Sequence, residues 1–263
     1  MYKGFDLRGF SERFIKPQFR NSLREHGRAV TASNHDDVRR RLAAIATENA
    51  VLNGAEIQDS WFPQVNADVF LSHSHRNEDL VLMLAGWLHD RFGLKAFIDS
   101  SIWGYAGELL QIIDKAYCWQ PESKTYNYQL RNESTSHVHM MLTTALGMMI
   151  HRTECLIFVN TPDSIEAERV IKSQTYSPWI YVELTIAGIV GEVEPKRLKE
   201  KRAMLKAAAS RELLERRKLQ VLHTIEHLDR LRPIEKETLL TWAKDCKTKG
   251  VDALDMLYEV AAW

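Results

Sequence analysis

The feature that most constrains the fold is an alternation of short apolar runs with longer helical segments. Residues 67–74 ("ADVFLSHS") and 155–164 ("CLIFVNTPDS") are apolar runs that end in small polar residues, as buried parallel strands do. Between such runs lie apolar-rich segments of helical length, and the first of them ends at Gly93. Strands that alternate with helices predict an α/β fold with a parallel, doubly wound sheet. Ligands of such sheets bind beyond the carboxyl ends of the strands.

The chain divides into three regions by composition. Residues 1–65 are polar and mostly helical in pattern, with the clearest helix at 33–54. Residues 66–191 carry the alternating pattern. Residues 192–263 are highly charged and helical up to Pro233, after which one or two short helices are expected. The elements predicted within the middle region are strands at 67–74, 94–100 and 155–164 and helices at 78–93, 107–119, 137–152 and 177–190.

The overall charge argues against a protein that coats nucleic acid. The chain has 35 basic and 35 acidic side chains, so its formal net charge is zero. A basic run at 196–218 is interleaved with glutamates and has no aromatic platform for bases. We therefore predict a solvated helix or an oligomerisation arm there, and no nucleic-acid partner.

Cysteine usage and hydropathy predict a cytoplasmic protein. Cys118, Cys155 and Cys246 are odd in number and widely spaced, so they form no disulfide framework. The longest apolar stretch, at 140–150, is too short to span a bilayer, and the first ten residues contain no apolar signal core. No membrane partner is expected.

One short stretch combines an aromatic ring with an acid. In "SPWIYVEL", Pro178 can open a helix, and Trp179 and Glu183 then lie one turn apart on the same face. The pair has two interpretations. In one, the ring packs and the acid lies at its rim; in the other, the two form a wall of a site for a flat cation. Three common signatures of nucleotide-binding and hydrolytic enzymes are absent from the sequence: the Walker loop, a G-x-G-x-x-G after a strand, and the G-x-S-x-G elbow.

Three segments in order resemble a Toll/interleukin receptor (TIR) domain. They are "DVFLSHS", "FIDSSIWGYAGELLQIID" and "SPWIYVEL". The resemblance covers residues 66–191 and implies a flavodoxin-like sheet. Enzymatic TIR domains cleave the bond between nicotinamide and ribose in NAD, and the glutamate four residues after the tryptophan is their essential acid. The resemblance therefore implies NAD as substrate, no further cofactor, and Glu183 as the catalytic residue.

The chemistry of this reaction is compatible with a single essential carboxylate. Most glycosidic bonds need one carboxyl group to protonate the leaving group and another to support the oxocarbenium ion. Nicotinamide leaves NAD as a neutral base from a cationic ring, so it needs no proton. Glu183 could then hold the ribose hydroxyls and stabilise the positive charge at the anomeric carbon. Trp179 would offer an aromatic surface to the pyridinium ring, an attraction of roughly 0.5–2 kcal/mol.

The strand ends supply the other candidate substrate-binding residues. Ser72, His73 and Ser74 end the first strand of the middle region, where they either line the substrate cleft and contact ribose or phosphate, or simply end the strand. The resemblance favours Ser72 among them, and we expect the phosphates of NAD near these three residues. Asp99 ends the second strand, where it touches substrate, orients the following loop, or caps a turn.

The loop at 100–107 contains aromatic residues between glycines. In TIR domains this loop mediates contacts between domains and sometimes completes a neighbour's active site. Trp103 and Tyr105 are therefore expected to be exposed, to bind substrate and to support self-association; a local packing role is the alternative. Two H-x-H pairs, His73 with His75 and His137 with His139, lack a third ligand at recognisable spacing, so no metal site is predicted.

Three functions remain open on this sequence. The leading one is a TIR enzyme of antiviral defence, as in Thoeris systems, that converts NAD to nicotinamide and ADP-ribose or a cyclic product sensed by a separate effector. The second is a non-enzymatic TIR adaptor that acts by self-association. The third is an enzyme like the nucleoside deoxyribosyltransferases, which share this sheet topology and use a glutamate nucleophile.

Overall fold

A parallel five-stranded sheet is the centre of the fold. The computed structural model describes residues 1–31, 53–103, 106–164, 177–198 and 230–261. The sheet strands are β1 (Lys3–Arg8), β2 (Val69–Ser72), β3 (Ala96–Phe97), β6 (Cys155–Asn160) and β7 (Arg232–Glu235), and their order across the sheet is β3-β2-β6-β1-β7. Every neighbouring pair is parallel. The predicted α/β class and parallel sheet are therefore confirmed.

Helices accompany the strands along the chain. They are α1 (Pro17–Thr31), α2 (Gly54–Trp61), α3 (Glu78–Phe92), α4 (Asp99–Trp103), α5 (Ala106–Ile113), α6 (Tyr128–Arg152), α7 (Pro178–Ile189), α8 (Lys236–Asp245) and α9 (Asp252–Val260). Short 3₁₀ turns occur at Glu12–Phe14 and His75–Asn77, and a π-helical segment, Asp114–Cys118, follows α5. In the part of the chain that the structure describes, no helix is both long enough and apolar enough to cross a membrane.

Helices cover both faces of the sheet. Along β6, Leu156 and Phe158 point to one core cluster, whereas the alternating residues Cys155, Ile157 and Val159 point to the other. The first cluster also contains side chains of α2, α5, α6 and α7, and the second contains those of α3, α8 and α9. The near-continuous apolar sequence of β6 follows from this burial on two sides.

The order of the strands is consistent with a flavodoxin-like sheet that has one substitution. A flavodoxin-like sheet has the order 2-1-3-4-5. In the sheet, β2, β3, β6 and β7 lie where strands 1, 2, 3 and 5 of a flavodoxin-like sheet lie. The place of strand 4 is taken by β1, which comes before all of them in the chain. Lys3 accordingly pairs with Cys155, and Phe5 pairs with Arg232.

Two of the sheet strands come from the flanking regions. The sequence analysis did not identify β1 or β7 as strands, and Pro233 lies within β7 rather than simply ending a helix. An edge strand tolerates proline because one side of its backbone needs no ladder hydrogen bonds. Two helices follow Pro233, as predicted. The division at residues 65 and 191 stays a prediction, although the sheet draws on all three regions.

Local sequence signals set several element boundaries. The side chain of Ser177 accepts a hydrogen bond from the Ile180 amide at 3.3 Å, and Pro178 is the first residue of α7. Gly93 ends α3 in the left-handed conformation, with a φ of 69°. Both signals were predicted correctly.

The middle region departs from prediction in its length and details. β3 is short because α4 begins at Asp99. The helix expected at 137–152 begins earlier, at Tyr128, and a two-stranded hairpin of β4 (Trp119–Gln120) and β5 (Thr125–Tyr126) precedes it. Most of the helix predicted at 33–54, and most of the basic run at 196–218, lie outside the described residues.

Helices α1 and α3 pack backbone against backbone. A Cβ atom added at Gly27 would lie 2.0 Å from the carbonyl oxygen of Leu82, and one added at Gly86 would lie 2.1 Å from that of Leu23. A side chain at either glycine would therefore force the helices apart. Next to Gly27, the ring of His26 places its Nε2 2.8 Å from Nδ1 of His89, which links the same two helices.

An ion-pair cluster lies at the amino-terminal ends of the sheet strands. Arg197 binds both carboxylate oxygens of Glu154, at 2.7 and 2.5 Å, and its Nε donates to Asp255 at 2.9 Å. The hydroxyl of Tyr258 also donates to Glu154, at 2.9 Å. Glu154 immediately precedes β6, whereas Asp255 and Tyr258 lie on α9. The cluster therefore holds α9 against the sheet.

Candidate functional site

A crevice is expected where the chain leaves neighbouring strands toward opposite faces of the sheet. β2 and β6 are such neighbours: α3 follows β2 in one core cluster, and α7 follows β6 in the other. In open α/β sheets the ligand crevice lies outside the carboxyl ends of strands at this kind of switch point. The residues that end β2, and those that reach it from α7, therefore define the candidate site.

Ser72 and Glu183 meet at this crevice. The Ser72 hydroxyl, on the last residue of β2, donates a hydrogen bond of 2.6 Å to Oε2 of Glu183 on α7. Both side chains are buried, with relative exposures of 1% and 3%. The start of α7 at Pro178 sets the helical phase that turns Glu183 inward. The structure thus joins two residues that the sequence analysis had selected from separate motifs.

Burial disfavours the ionised form of the Glu183 carboxyl. Its pKa is raised well above the usual range, first because the buried carboxylate loses its hydration and second because the negative charge of Asp99 is nearby. The hydrogen bond from Ser72 acts in the opposite direction and lowers the pKa, because it stabilises the carboxylate. A buried acid with a perturbed pKa in a cleft is characteristic of functional sites.

His73 lies directly after β2 and is also buried. Its Nδ1 lies 3.3 Å from the carbonyl oxygen of Leu71, and its Nε2 has no hydrogen-bond partner among the described residues. Burial lowers the pKa of the imidazole, whereas the carboxylates of Asp99 and Glu78 raise it in part. The ring is therefore held neutral.

Asp99 connects these groups electrostatically. It is half-buried at the start of α4, and its charge acts on the pKa values of both His73 and Glu183. Its place in the first helical turn also fits the turn-capping alternative, because acids stabilise helix N-termini. The structure brings Asp99 to the same strand-end site as Ser72.

A hydrogen-bonded network that the sequence analysis missed borders the site. Thr161, directly after β6, donates to Oδ1 of Asn77 at 2.5 Å, and the amide of Asn77 donates to Asp163 at 3.0 Å. These contacts join the segments that follow β2 and β6. Small polar residues after a strand were the one available signal, and that signal does not reveal partners. Ser74 is half-buried beside this network, and the structure gives it no side-chain hydrogen bond at the following turn.

Trp179 lies one turn before Glu183 but contacts a different element. Its half-buried ring packs against the core and meets the ring of His139 on α6 edge to face, with 5.2 Å between centroids. Glu183 instead contacts β2. The two residues share a helix, as predicted, and their predicted role as one wall of a binding site stays a prediction.

The expectation of an exposed ring at Trp103 is wrong. Trp103 is only 1% exposed, because it packs edge to face on Phe62 and Phe97 and its Nε1 donates to the carbonyl oxygen of Pro63 at 2.9 Å. A buried indole with a satisfied N–H is a core residue, which was the packing alternative. Tyr105 lies outside the described residues.

Metal ligands do not cluster in the described ranges. Among those residues, no group of three or more histidine, cysteine, aspartate or glutamate side chains is placed to hold an ion. The rings of His73 and His75 lie edge to face with centroids 6.1 Å apart, and His139 contacts Trp179. All three cysteines are free and buried.

A cavity of about 540 Å³ lies elsewhere, between α1, α3 and α8. Its walls are mainly apolar, with Phe14, Phe19, Trp87 and Leu240 among them. This volume lies within the range of small-molecule sites in proteins. We favour the β2–β6 crevice because its ionisable residues Glu183 and His73 are buried, whereas Lys16 and Asp90, which line the cavity, are exposed.

Comparison with known proteins gives no family for this chain. No family model, no curated protein and no solved structure matches it. The features that bear on function are therefore those of the residues themselves: the Ser72–Glu183 hydrogen bond, the neutral His73 and the nearby charge of Asp99.

Proposed function

We propose that this chain is a TIR-type enzyme that cleaves NAD between nicotinamide and ribose, with Glu183 as its catalytic residue. The observation that carries the proposal is the buried carboxyl of Glu183, hydrogen-bonded at 2.6 Å to Ser72 at the strand-end crevice. Burying an ionisable group costs free energy, so a purely structural position favours an apolar residue there. A site for a cationic substrate would explain the acid, because the carboxylate of Glu183 would attract the cation.

The charge of the substrate accounts for how Glu183 could act despite its raised pKa. The nicotinamide ring of NAD is cationic, and an opposite charge nearby favours the ionised form of a carboxyl group. Binding would therefore shift Glu183 toward the carboxylate, and the Ser72 hydroxyl would support that form. As the glycosidic bond breaks, the carboxylate would stabilise the positive charge that develops on the ribose.

The remaining site residues have proposed supporting roles. Trp179 would contact the nicotinamide ring, and Asp99 would keep Glu183 protonated until the cationic substrate arrives. Ser74 would contact the substrate at the end of β2. We propose that water or an adenine nitrogen then attacks the ribose, which gives ADP-ribose or a cyclic product.

The proposed biological setting follows the resemblance described above. We propose that the reaction takes place in the cytoplasm during antiviral defence, and that a cyclic product would act on a separate effector. Self-association through residues 100–107 belongs to the same proposal. The burial of Trp103 removes one of the two aromatic residues expected to serve that contact.

The test compares two matched glutamate variants. Purified wild type, Glu183→Gln and Glu192→Gln are incubated with NAD at high protein concentration, and nicotinamide release and product mass are followed. Glu192 is a suitable control because its exposed carboxylate pairs with Lys3, beyond the far end of α7. We expect release by wild type and Glu192→Gln and none by Glu183→Gln. Release that survives in Glu183→Gln would reject Glu183 as the catalytic residue.

A second candidate is supported by the pair of acids at the site. Glu183 and Asp99 interact electrostatically, and most enzymes that cleave glycosidic bonds use two carboxyl groups. A nucleoside deoxyribosyltransferase would use Glu183 as nucleophile. Base exchange on a deoxynucleoside, without any NAD cleavage, would favour this candidate. Silence with both substrates, in crowded solution and with lysate of infected cells, would favour the TIR adaptor.

A further inference from the structure

The hydrogen-bonding state of His73 can be worked out from its neighbours. Its Nδ1 lies 3.3 Å from the carbonyl oxygen of Leu71. A carbonyl oxygen only accepts hydrogen bonds, so the proton of the neutral ring lies on Nδ1. The other nitrogen, Nε2, is then a bare acceptor. It is buried, and it has no partner within the described ranges.

An unpaired buried acceptor is unusual in a folded protein. Buried polar atoms nearly always have a partner, so an exception calls for an explanation, and a role in binding or catalysis is one of these. The residue as a whole is only 6% exposed. The free lone pair of Nε2 therefore marks a place where a hydrogen-bond donor is expected to bind.

The surrounding charges keep this lone pair free. Three ionisable groups act on the ring: Asp99 at the start of α4, Glu78 at the start of α3, and His75 in the turn between β2 and α3. Burial opposes protonation of the ring more strongly than the two carboxylates favour it, and His75 opposes it as well. His73 thus offers an acceptor and not a cation.

We propose that Nε2 of His73 accepts a hydrogen bond from a hydroxyl group of the sugar bonded to nicotinamide. This proposal rests on the proposed function and names the part of the substrate that lies at the end of β2. A phosphate group is a poor fit, because its oxygens are acceptors like Nε2. The sugar therefore lies beside His73 and Glu183, and the phosphates lie farther out than the sequence analysis expected.

The geometry adds one requirement. Nε2 itself is covered in the structure, so the hydroxyl reaches it only after a local shift of the groups at the end of β2. The exposed ring of His75, whose centroid lies 6.1 Å from that of His73, is one neighbour that such a shift would move. Substrate binding and a rearrangement around His73 would then occur together.

The first test observes the ring nitrogens directly. Proton–nitrogen NMR spectra of the Glu183→Gln variant distinguish a bare ring nitrogen from a protonated one, before and after addition of NAD. We expect a bare Nε2 in the free protein, and a shift of its signal typical of an accepted hydrogen bond when NAD is present. A protonated Nε2 in the free protein would overturn the inference, whatever NAD does.

The second test separates the loss of the acceptor from the loss of the side chain. His73→Gln keeps an acceptor oxygen at similar reach, whereas His73→Leu does not, and His75→Gln is the exposed control. With NAD we expect a KM raised about 2- to 13-fold in His73→Leu, the range for one neutral hydrogen bond, and near wild type in the other two. An analogue that lacks the sugar hydroxyl should show no such difference between wild type and His73→Leu.

The outcomes distinguish the inference from the function beneath it. If NAD is cleaved and binds without any change at Nε2, the inference is wrong and the proposed function stands. If ADP-ribose changes the Nε2 signal but no nicotinamide is ever released, the sugar contact stands and the glycohydrolase proposal is wrong. Equal KM values for His73→Leu and wild type would also reject the inference.

Discussion

Removing the hydroxyl of Ser72 should change the pH dependence of the proposed NAD cleavage. In Ser72→Ala, Glu183 loses the donor that lies 2.6 Å from its Oε2. Hydrogen bonds to charged groups contribute about 1.5–3 kcal/mol and those between neutral groups about 0.5–1.5 kcal/mol. The carboxylate therefore loses about 1–1.5 kcal/mol more than the neutral acid. At 1.36 kcal/mol per pKa unit, the pKa of Glu183 should rise by about one unit.

The sign of the kinetic effect follows from which form of Glu183 reacts. If the carboxylate stabilises the oxocarbenium ion, kcat/KM rises with pH as the free enzyme loses the proton of Glu183. This rise should occur above the ordinary glutamate pKa of about 4.3, because burial and Asp99 raise the pKa. In Ser72→Ala the same rise should occur about one pH unit higher.

The assay is nicotinamide release measured from about pH 5 to about pH 9 at constant ionic strength, since kcat/KM reports the free enzyme. Ser74→Ala is the matched control, because Ser74 lies two residues beyond the end of β2 and gives no side-chain hydrogen bond to the following turn. Loss of the substrate contact of Ser74 should lower kcat/KM by a similar factor at every pH, and we expect the rise to occur at the same pH as in wild type.

Two results would refute this reasoning. An unchanged profile in Ser72→Ala would mean that the ionisation of Glu183 does not limit the reaction. A shift of the rise toward lower pH would mean that the hydroxyl favours the neutral acid, opposite to the effect of a donor on a carboxylate.

Three further predictions concern the stability of the fold. Glu183→Gln should gain stability relative to wild type as the pH rises above about 4.3, by up to about 1.36 kcal/mol per pH unit. Above this pH the carboxyl of unfolded wild type ionises, whereas the folded one stays protonated because its pKa is raised, so wild type loses stability and the variant does not. Melting temperatures across pH test this, and a constant difference would contradict it. Gly86→Ala should destabilise the protein by roughly 1–3 kcal/mol through the clash with the Leu23 carbonyl, whereas Gly107→Ala, with nothing within 4 Å, should be neutral or stabilising in urea unfolding. Arg197→Met should cost about 3–5 kcal/mol in the same assay, because it leaves two partly buried carboxylates without their cation; a loss below 1 kcal/mol would show that the cluster is only a surface ion pair.

The elements that could be predicted carry their signal locally. β2 and β6 are apolar runs bounded by polar residues, and α7 has a serine cap followed by proline. β1 reads "KGFDLR", with Phe5 and Leu7 as its apolar residues among three charged ones, and β7 reads "RPIE", four residues of which two are charged, so the apolar signal of each is weak. Their strand conformation depends on neighbours far along the chain, which no local pattern encodes.

The candidate site shows the same limit. Glu183 and Ser72 were both selected from motifs, but their hydrogen bond joins α7 to β2 across the fold and is visible only in three dimensions. Asn77 and Thr161 were missed because polar residues that contact each other between loops leave no periodic trace. Trp103 was misjudged because its glycine neighbours suggested a loop, whereas Phe62 and Phe97 pack on its ring and the carbonyl of Pro63 accepts a hydrogen bond from its indole.

The position of β1 has a consequence for how the protein is made. On the ribosome, β1 emerges well before its two partners in the sheet, β6 and β7. Its backbone hydrogen bonds must therefore wait until most of the chain has been synthesised, and contacts so distant along the chain slow folding. Until then the nascent chain carries an unpaired strand, which is a surface that chaperones would have to protect.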